Sequence, residues 1–263
     1  VWAGLLRWMR SGVTAACCMT LKLWMPACDF LRRPASNTPL TQPAARSTAD
    51  PNTRHELMRI LHFSDPHLPA RLHRAPLKSW LSKRAVGGAN YVLRRRHLFL
   101  QARQKIGALV RFTHTNQVDL LLCTGDYTTL GLNHEYQRVK ELLAPLLHDP
   151  SAYIHVPGNH DHYIHDTIRE DRFRSWFDDT LTTDTPEYQV DGIWPLVRFV
   201  SPRLVIVAIN STRPNPQPWR SSGKISAAQL EVLEQMTDDS RFMDRVVMVM
   251  THYAPLRSDG KPD

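Results

Sequence analysis

The sequence predicts an α/β layered domain. Short apolar runs alternate with helix-period segments from residue 58 onward, the pattern of strands interleaved with helices. Four of those runs end directly in Asp, Asn or His, and in α/β sheets sites gather at the carboxyl ends of strands. The chain has 263 residues, 42% hydrophobic and 22% charged, which suits one large α/β domain or two small ones.

The first 57 residues differ from the rest. Trp, Leu, Met and Cys dominate up to Cys28, interrupted by Arg7, Arg10 and Lys22. The uncharged run Ser11–Leu21 is too short to span a bilayer and reads as part of a targeting segment. Pro34–Asn52 has linker composition. Met58 precedes the first convincing strand. Residues 1–57 are therefore expected to be disordered or non-native, or else a basic membrane-proximal tail, with the folded domain at 58–263.

Within the domain a strand is expected at 59–64. An insertion at 68–96, rich in Pro, Gly and Arg, carries short helical stretches near 77–85 and 91–96. A helix over 97–115 places Leu98, Ala102, Ile106, Leu109 and Val110 on one face. A strand follows at 118–123. Asn133 is the expected N-cap of a helix bearing Tyr136, Val139, Leu142, Leu143 and Leu146. The run 152–156 is a strand ended by Pro157, and 166–177 reads as helix. Strands are expected at 188–190, 196–200, 203–209 and 246–250. Ser226 and Gln229 form a capping box before a helix with Leu230 and Leu233 inward.

The net charge of +8 comes from one block. Between Asp65 and Asp119 there is no acidic residue, while Lys78, Lys83, Lys105 and eight arginines lie there. Such a block favours an anionic partner: a phosphate-rich substrate such as a phosphorylated small molecule, nucleic acid, or an anionic membrane surface met through 68–96. The four cysteines form no CxxC pair, which suits a reducing compartment and a cytoplasmic protein, with peripheral contact at the inner membrane as the alternative.

The strand-end clusters are Asp65-Pro66-His67, Gly125-Asp126, Gly158-Asn159-His160-Asp161 and Thr251-His252. Asp65 and His67, two apart, would share one side of an extended segment and chelate one ion. Asp126 follows a glycine that permits close approach, and its carboxylate can bridge two cations. Asn159 offers an amide oxygen and His252 an imidazole. Oxygen and nitrogen ligands without thiolate point to Mn, Fe or Zn. Two such ions can clamp a phosphoryl group. His160 would face the phosphate as the catalytic group, and Asp161 would orient it. His155, His162, His165 and the remaining histidines lack this context and read as packing, surface or pocket-rim residues. Arg94 and Arg95, near Trp80 and Tyr91, are either a substrate-binding surface or a solvated helix face.

At these residues the chain resembles the calcineurin-like metallophosphoesterase superfamily, with FSDPHL, CTGDYTTLG, VPGNHDHY and MTHYAP in family order over about 58–256. The resemblance implies an αββα sandwich, two mixed sheets flanked by helices, and a bacterial-type hydrolase of phosphodiesters or phosphoanhydrides. It implies Asp65 and His67 on a first metal, Asp126 bridging, Asn159 and His252 on a second, and His160 catalytic.

The family's later Gly-His-x-His motif does not occur in the sequence. The expectation is thus a domain lacking its final strands, binding metal weakly and turning over slowly. Cyclic-nucleotide phosphodiesterase, UDP-diacylglucosamine pyrophosphatase-like hydrolase and DNA exonuclease are the candidate activities. Nucleic acid is disfavoured because the basic block is short. An inactive anion-binding fragment is the non-enzymatic alternative.

Overall fold

A computed structural model of the chain describes residues 15–17, 58–215 and 221–254. It contains two sheets. The first is wholly parallel, in the order β2-β3-β4: β2 is Ile60–Phe63, β3 Leu120–Cys123 and β4 Tyr153–His155. The second runs β1-β7-β6-β5: β1 is Ala15–Cys17, β5 Leu196–Ser201, β6 Leu204–Ala208 and β7 Val246–Met250. Its β5–β6 pair is antiparallel and its other pairs are parallel, so among the described residues only this sheet is mixed.

Helix α1 is Lys83–Asn90, α2 Arg96–Phe99, α3 Ala102–Thr115, α4 Asn133–Leu147, α5 His165–Arg169, α6 Arg172–Phe177 and α7 Ala227–Met236. The β6 run has period two. Ile206 and Ala208 join a large core with Leu120, Leu122 and Met250, while Val205 and Val207 pack with Val232, Leu233 and Met236 of α7. One face of the second sheet therefore meets the first sheet and the other meets a helix. Residues of α3 and α4, including Ile106, Val139 and Leu143, belong to the larger core. The layered αββα arrangement of two sheets flanked by helices follows.

Several elements differ from expectation. The segment 1–57, expected to be disordered or non-native, includes the edge strand β1; its other residues lie outside the described ones. The 97–115 helix is broken at Leu100–Gln101, and Leu98 is half-exposed at 47%. Asn133 is the first helical residue of α4, not its cap. The cap is Leu132, whose N–H donates to Glu135 Oε2 at 2.9 Å. The helix at 166–177 splits into α5 and α6 because Asp171 between them has φ +43°. Residues 188–190 are not a strand. A 3-10 turn at Pro186–Tyr188 leads into a turn at Gly192, φ +66°, closed by an isolated Asp191–Trp194 bridge. At α7, Ser226 accepts the Gln229 N–H as anticipated.

His155, at the end of β4, is fully buried. Its Nδ1 lies 2.9 Å from Tyr127 Oη and its Nε2 3.0 Å from Thr180 Oγ1. Burial pushes its pKa down to about 3, so the folded protein holds it neutral. The unfolded chain protonates it below its ordinary value, about 6.5. Its contribution to stability is therefore full above that pH and is lost as the pH falls towards 3. Urea unfolding at pH 7.5 and 5.5 should show a loss of roughly 1.4 kcal/mol from this group. The His155→Gln variant should lack that increment, whatever its absolute stability.

Candidate metal centre

The centre stands where four strands end. Asp65 and His67 follow β2, Asp126 follows β3, Asn159 and His160 follow β4, and His252 follows β7. The loop after β2 lies along the loop after β3. Asp65 N–H donates to Gly125 O, His67 N–H to Asp126 O and Leu68 N–H to Tyr127 O, each at 3.0 Å. The segment 65–67 is not extended as expected. Asp65, His67 and Asp126 have φ of +56°, +37° and +62°. Left-handed backbone costs on the order of 1–2 kcal/mol per non-glycine residue and persists only where its surroundings over-determine it.

The convergence survives the different backbone. His67 Nε2 is 3.4 Å from Asp65 Oδ1 and 3.4 Å from Asp126 Oδ2. The same Asp126 oxygen lies 3.8 Å from His252 Nε2, which is itself 3.1 Å from Asn159 Oδ1. Asp126 Oδ1 accepts the His160 backbone N–H at 2.7 Å. His67, Asp126 and His160 present ligand atoms all within 4.8 Å of one another.

Two glycines make this closeness possible. Gly125 has φ +93°, and a Cβ there would meet Gly158 N at 2.3 Å. A Cβ on Gly158 would meet Asp126 Oδ1 at 2.1 Å. The loops after β3 and β4 thus touch backbone to backbone.

Each imidazole is anchored from behind. The Nδ1 atoms of His67, His160 and His252 lie 2.9, 2.6 and 2.6 Å from the carbonyls of Thr128, Thr129 and Thr124. Backbone carbonyls accept, so Nδ1 carries hydrogen and Nε2 is the atom left for a ligand. With carboxylate and amide oxygens beside them and no thiolate, the donor set fits a hard or borderline divalent cation.

The field has the matching sign. Burial disfavours the His67 cation, yet Asp126 and Asp65 outweigh it and raise its pKa to about 9. Burial likewise opposes the charge on Asp65, but hydrogen bonds from His67 and Ser64 hold that carboxyl well below the usual range. His160 goes the other way: burial lowers it to about 4 despite Asp126.

Asp161 does not orient the His160 ring, which Thr129 holds instead. Its carboxylate is fully buried. Oδ2 accepts from the N–H groups of Asp126 at 2.8 Å, Gly158 at 2.9 Å and Tyr127 at 3.3 Å, and Oδ1 from Thr128 N–H at 3.0 Å. Asp161 builds the loops that carry Asp126, Asn159 and His160. Arg94 and Arg95 are both exposed on a π-helical turn, Tyr91–Arg95. Arg95 comes close enough to His160 to depress its pKa slightly, after burial and His67.

Sequence reading missed the threonine carbonyls, since backbone acceptors leave no mark on residue type. It also missed Glu135, buried at the start of α4, which accepts the N–H groups of Thr129, Leu130 and Leu132. An acidic residue in the first turn of a helix was the available signal. Arg84, counted with the basic block, is 1% exposed and grips Asp166 at 2.6 Å with Leu130 O and Gly131 O.

A layered α/β sandwich with carboxylate, amide and imidazole groups converging at its strand ends defines a metal-binding enzyme domain. The model for calcineurin-like phosphoesterases matches residues 58–262, and the chain belongs to that family. No curated protein matches the chain at a significant level. Membership carries metal-dependent hydrolysis of phosphoester bonds as the class of activity. Among the described residues no helix is long and apolar enough to cross a membrane.

Replacing the Asp161 carboxylate by an amide, Asp161→Asn, sets an NH2 against backbone donors. A loss of roughly 3 kcal/mol is expected in thermal or urea unfolding. An unchanged midpoint would show that the carboxylate does not hold these loops.

Proposed function

We propose that the chain hydrolyses a phosphodiester or phosphoanhydride at a centre for two divalent metal ions. The observation that carries this reading is the shared position of Asp126 Oδ2 between His67 and His252, with each imidazole fixed through Nδ1. Asp65 and His67 would hold one ion, Asn159 and His252 the other, and Asp126 both. Mn, Fe and Zn suit these donors. When bound, such ions polarise a phosphoryl oxygen and lower the pKa of water.

The chain's own residues supply the rest. His160 is neutral with Nδ1–H fixed on Thr129, so Nε2 presents a lone pair. A phosphate anion arriving beside it raises its proton affinity, which suits proton delivery to the leaving oxygen. Tyr163 stacks on the His160 ring at 5.5 Å and limits its tilt. Arg95 adds positive field at His160.

Phosphorylated small molecules and lipid-linked phosphates both remain within this reading. The second is favoured by the exposed Leu77, Leu81 and Leu93 in the basic insertion, which suit peripheral contact with an anionic membrane surface.

His160→Ala should lower turnover of a generic aryl phosphodiester by 10²–10⁴. Metal content, read by mass spectrometry of the dialysed protein, should stay at the wild-type value. A fall in metal content instead would make His160 a ligand, as its place beside His67 and Asp126 allows. Asp126→Ala should lose metal and turnover together.

A further inference from the structure

Beside the metal centre lies a groove of about 490 Å³. Leu68, the residue after His67, forms part of its wall. So does Tyr91, whose ring stacks on Phe99 at 6.0 Å, and Phe99 in turn meets the His67 ring at 5.0 Å. The groove and the centre thus share one layer of side chains.

Four guanidinium groups line this groove, those of Arg71, Arg96, Arg103 and Arg138, and no Asp or Glu does. They come from three separate parts of the fold: the loop after β2, the start of helices α2 and α3, and α4. Among the described residues none of the four side chains makes a hydrogen bond or ion pair to the protein. Elsewhere arginines do find carboxylates: Arg84 and Arg172 on Asp166, Arg198 on Asp184, Arg241 on Asp239 and Glu187.

Arg71 and Arg103 act on Arg138. Arg138 is half-buried, and its pKa is lowered by burial first, then by Arg71 and Arg103, with Glu141 opposing less strongly. His134, beside the groove, is lowered to about 4 by burial and then by Arg74, Arg71 and His73. Unneutralised like charge around a concavity is relieved by an anion. Apart from His73, the remaining wall is largely apolar, with Leu72, Val92 and Leu100 lining the same space.

We propose that this groove is a second anion site, separate from the metal centre, that takes the phosphate of an amphipathic organic phosphate. Arg71, Arg96, Arg103 and Arg138 hold the phosphate, and the apolar wall holds the attached carbon chain. Guanidinium groups suit phosphate because their paired N–H donors match its oxygens. A free metabolite and a lipid headgroup offer the same chemistry. The proposal rests on the phosphoesterase reading only for why phosphate ligands should be present.

The test uses the full chain after treatment with chelator, so that the metal centre cannot bind phosphate. Hexyl phosphate is titrated by calorimetry. Saturable binding is expected, weakened at least tenfold in Arg103→Ala/Arg138→Ala and strengthened at low salt. The melting temperature of that variant should equal or exceed the wild-type value, because a repulsion is removed. Should the double variant fail to fold, the exposed single variant Arg96→Ala serves, with a weakening of several-fold.

A parallel arm measures sedimentation with phosphatidylglycerol vesicles. Capture by vesicles that the arginine variants abolish supports the site with a lipid headgroup as the source. Capture that hexyl phosphate displaces supports either source. Absence of both kinds of binding, or equal binding by wild type and variants, overturns the proposal. Because the chelated protein has no working centre, failure of the groove and failure of the hydrolytic reading are recorded in separate experiments.

Discussion

The centre depends on one buried carboxylate. Asp161 gathers the N–H groups of Asp126, Tyr127, Thr128 and Gly158, drawing the loops after β3 and β4 against each other. A buried carboxylate without partners is costly, so the donors and the acceptor fix one another. Once the loops are joined, Asp126 is aimed at His67 and His252, and the carbonyls of Thr128 and Thr129 face His67 and His160. The left-handed conformations of Asp65, His67 and Asp126 are tolerable only under this constraint.

A second buried arrangement supports the first from the far side. Glu135 receives the N–H groups of Thr129, Leu130 and Leu132, and burial raises its pKa to about 7 against those bonds. Arg84 and Arg172 both donate to the Gly131 carbonyl while sharing Asp166. Residues 126–132 are therefore held by Asp161, Arg84 and Arg172 from elsewhere in the chain and by Glu135 of the same segment. Rigid support of this kind is what keeps ligands within reach of a small ion.

Much of this was legible in the sequence. The apolar runs at 60–63, 120–123, 153–155, 204–208 and 246–250 are strands because they are short, apolar and followed by Gly, Pro or polar residues. The candidate ligand types stood out because Asp, Asn and His at strand ends have no packing role. What stayed hidden was backbone chemistry. No residue letter records that Thr124, Thr128 and Thr129 use their carbonyls, or that Asp65 and His67 adopt positive φ. Asp161 was assigned to the His160 ring because adjacency in sequence suggests contact, whereas its side chain turns inward to main-chain donors. The basic block read as one uniform surface. Folding divided it into a buried arginine, an exposed helical turn and a groove.

His252 reaches across from the second sheet, yet its Nδ1 rests on Thr124 at the end of β3 and its Nε2 on Asn159, 93 positions earlier in the chain. During synthesis the loops of the first sheet leave the ribosome well before this histidine. A nascent chain can join Asp126 to Gly158 through Asp161 while the pocket is still open on one side. Only when β7 pairs with β6 does the last imidazole arrive. The contacts of His252 with Thr124 and Asn159 then act as a latch between the two sheets.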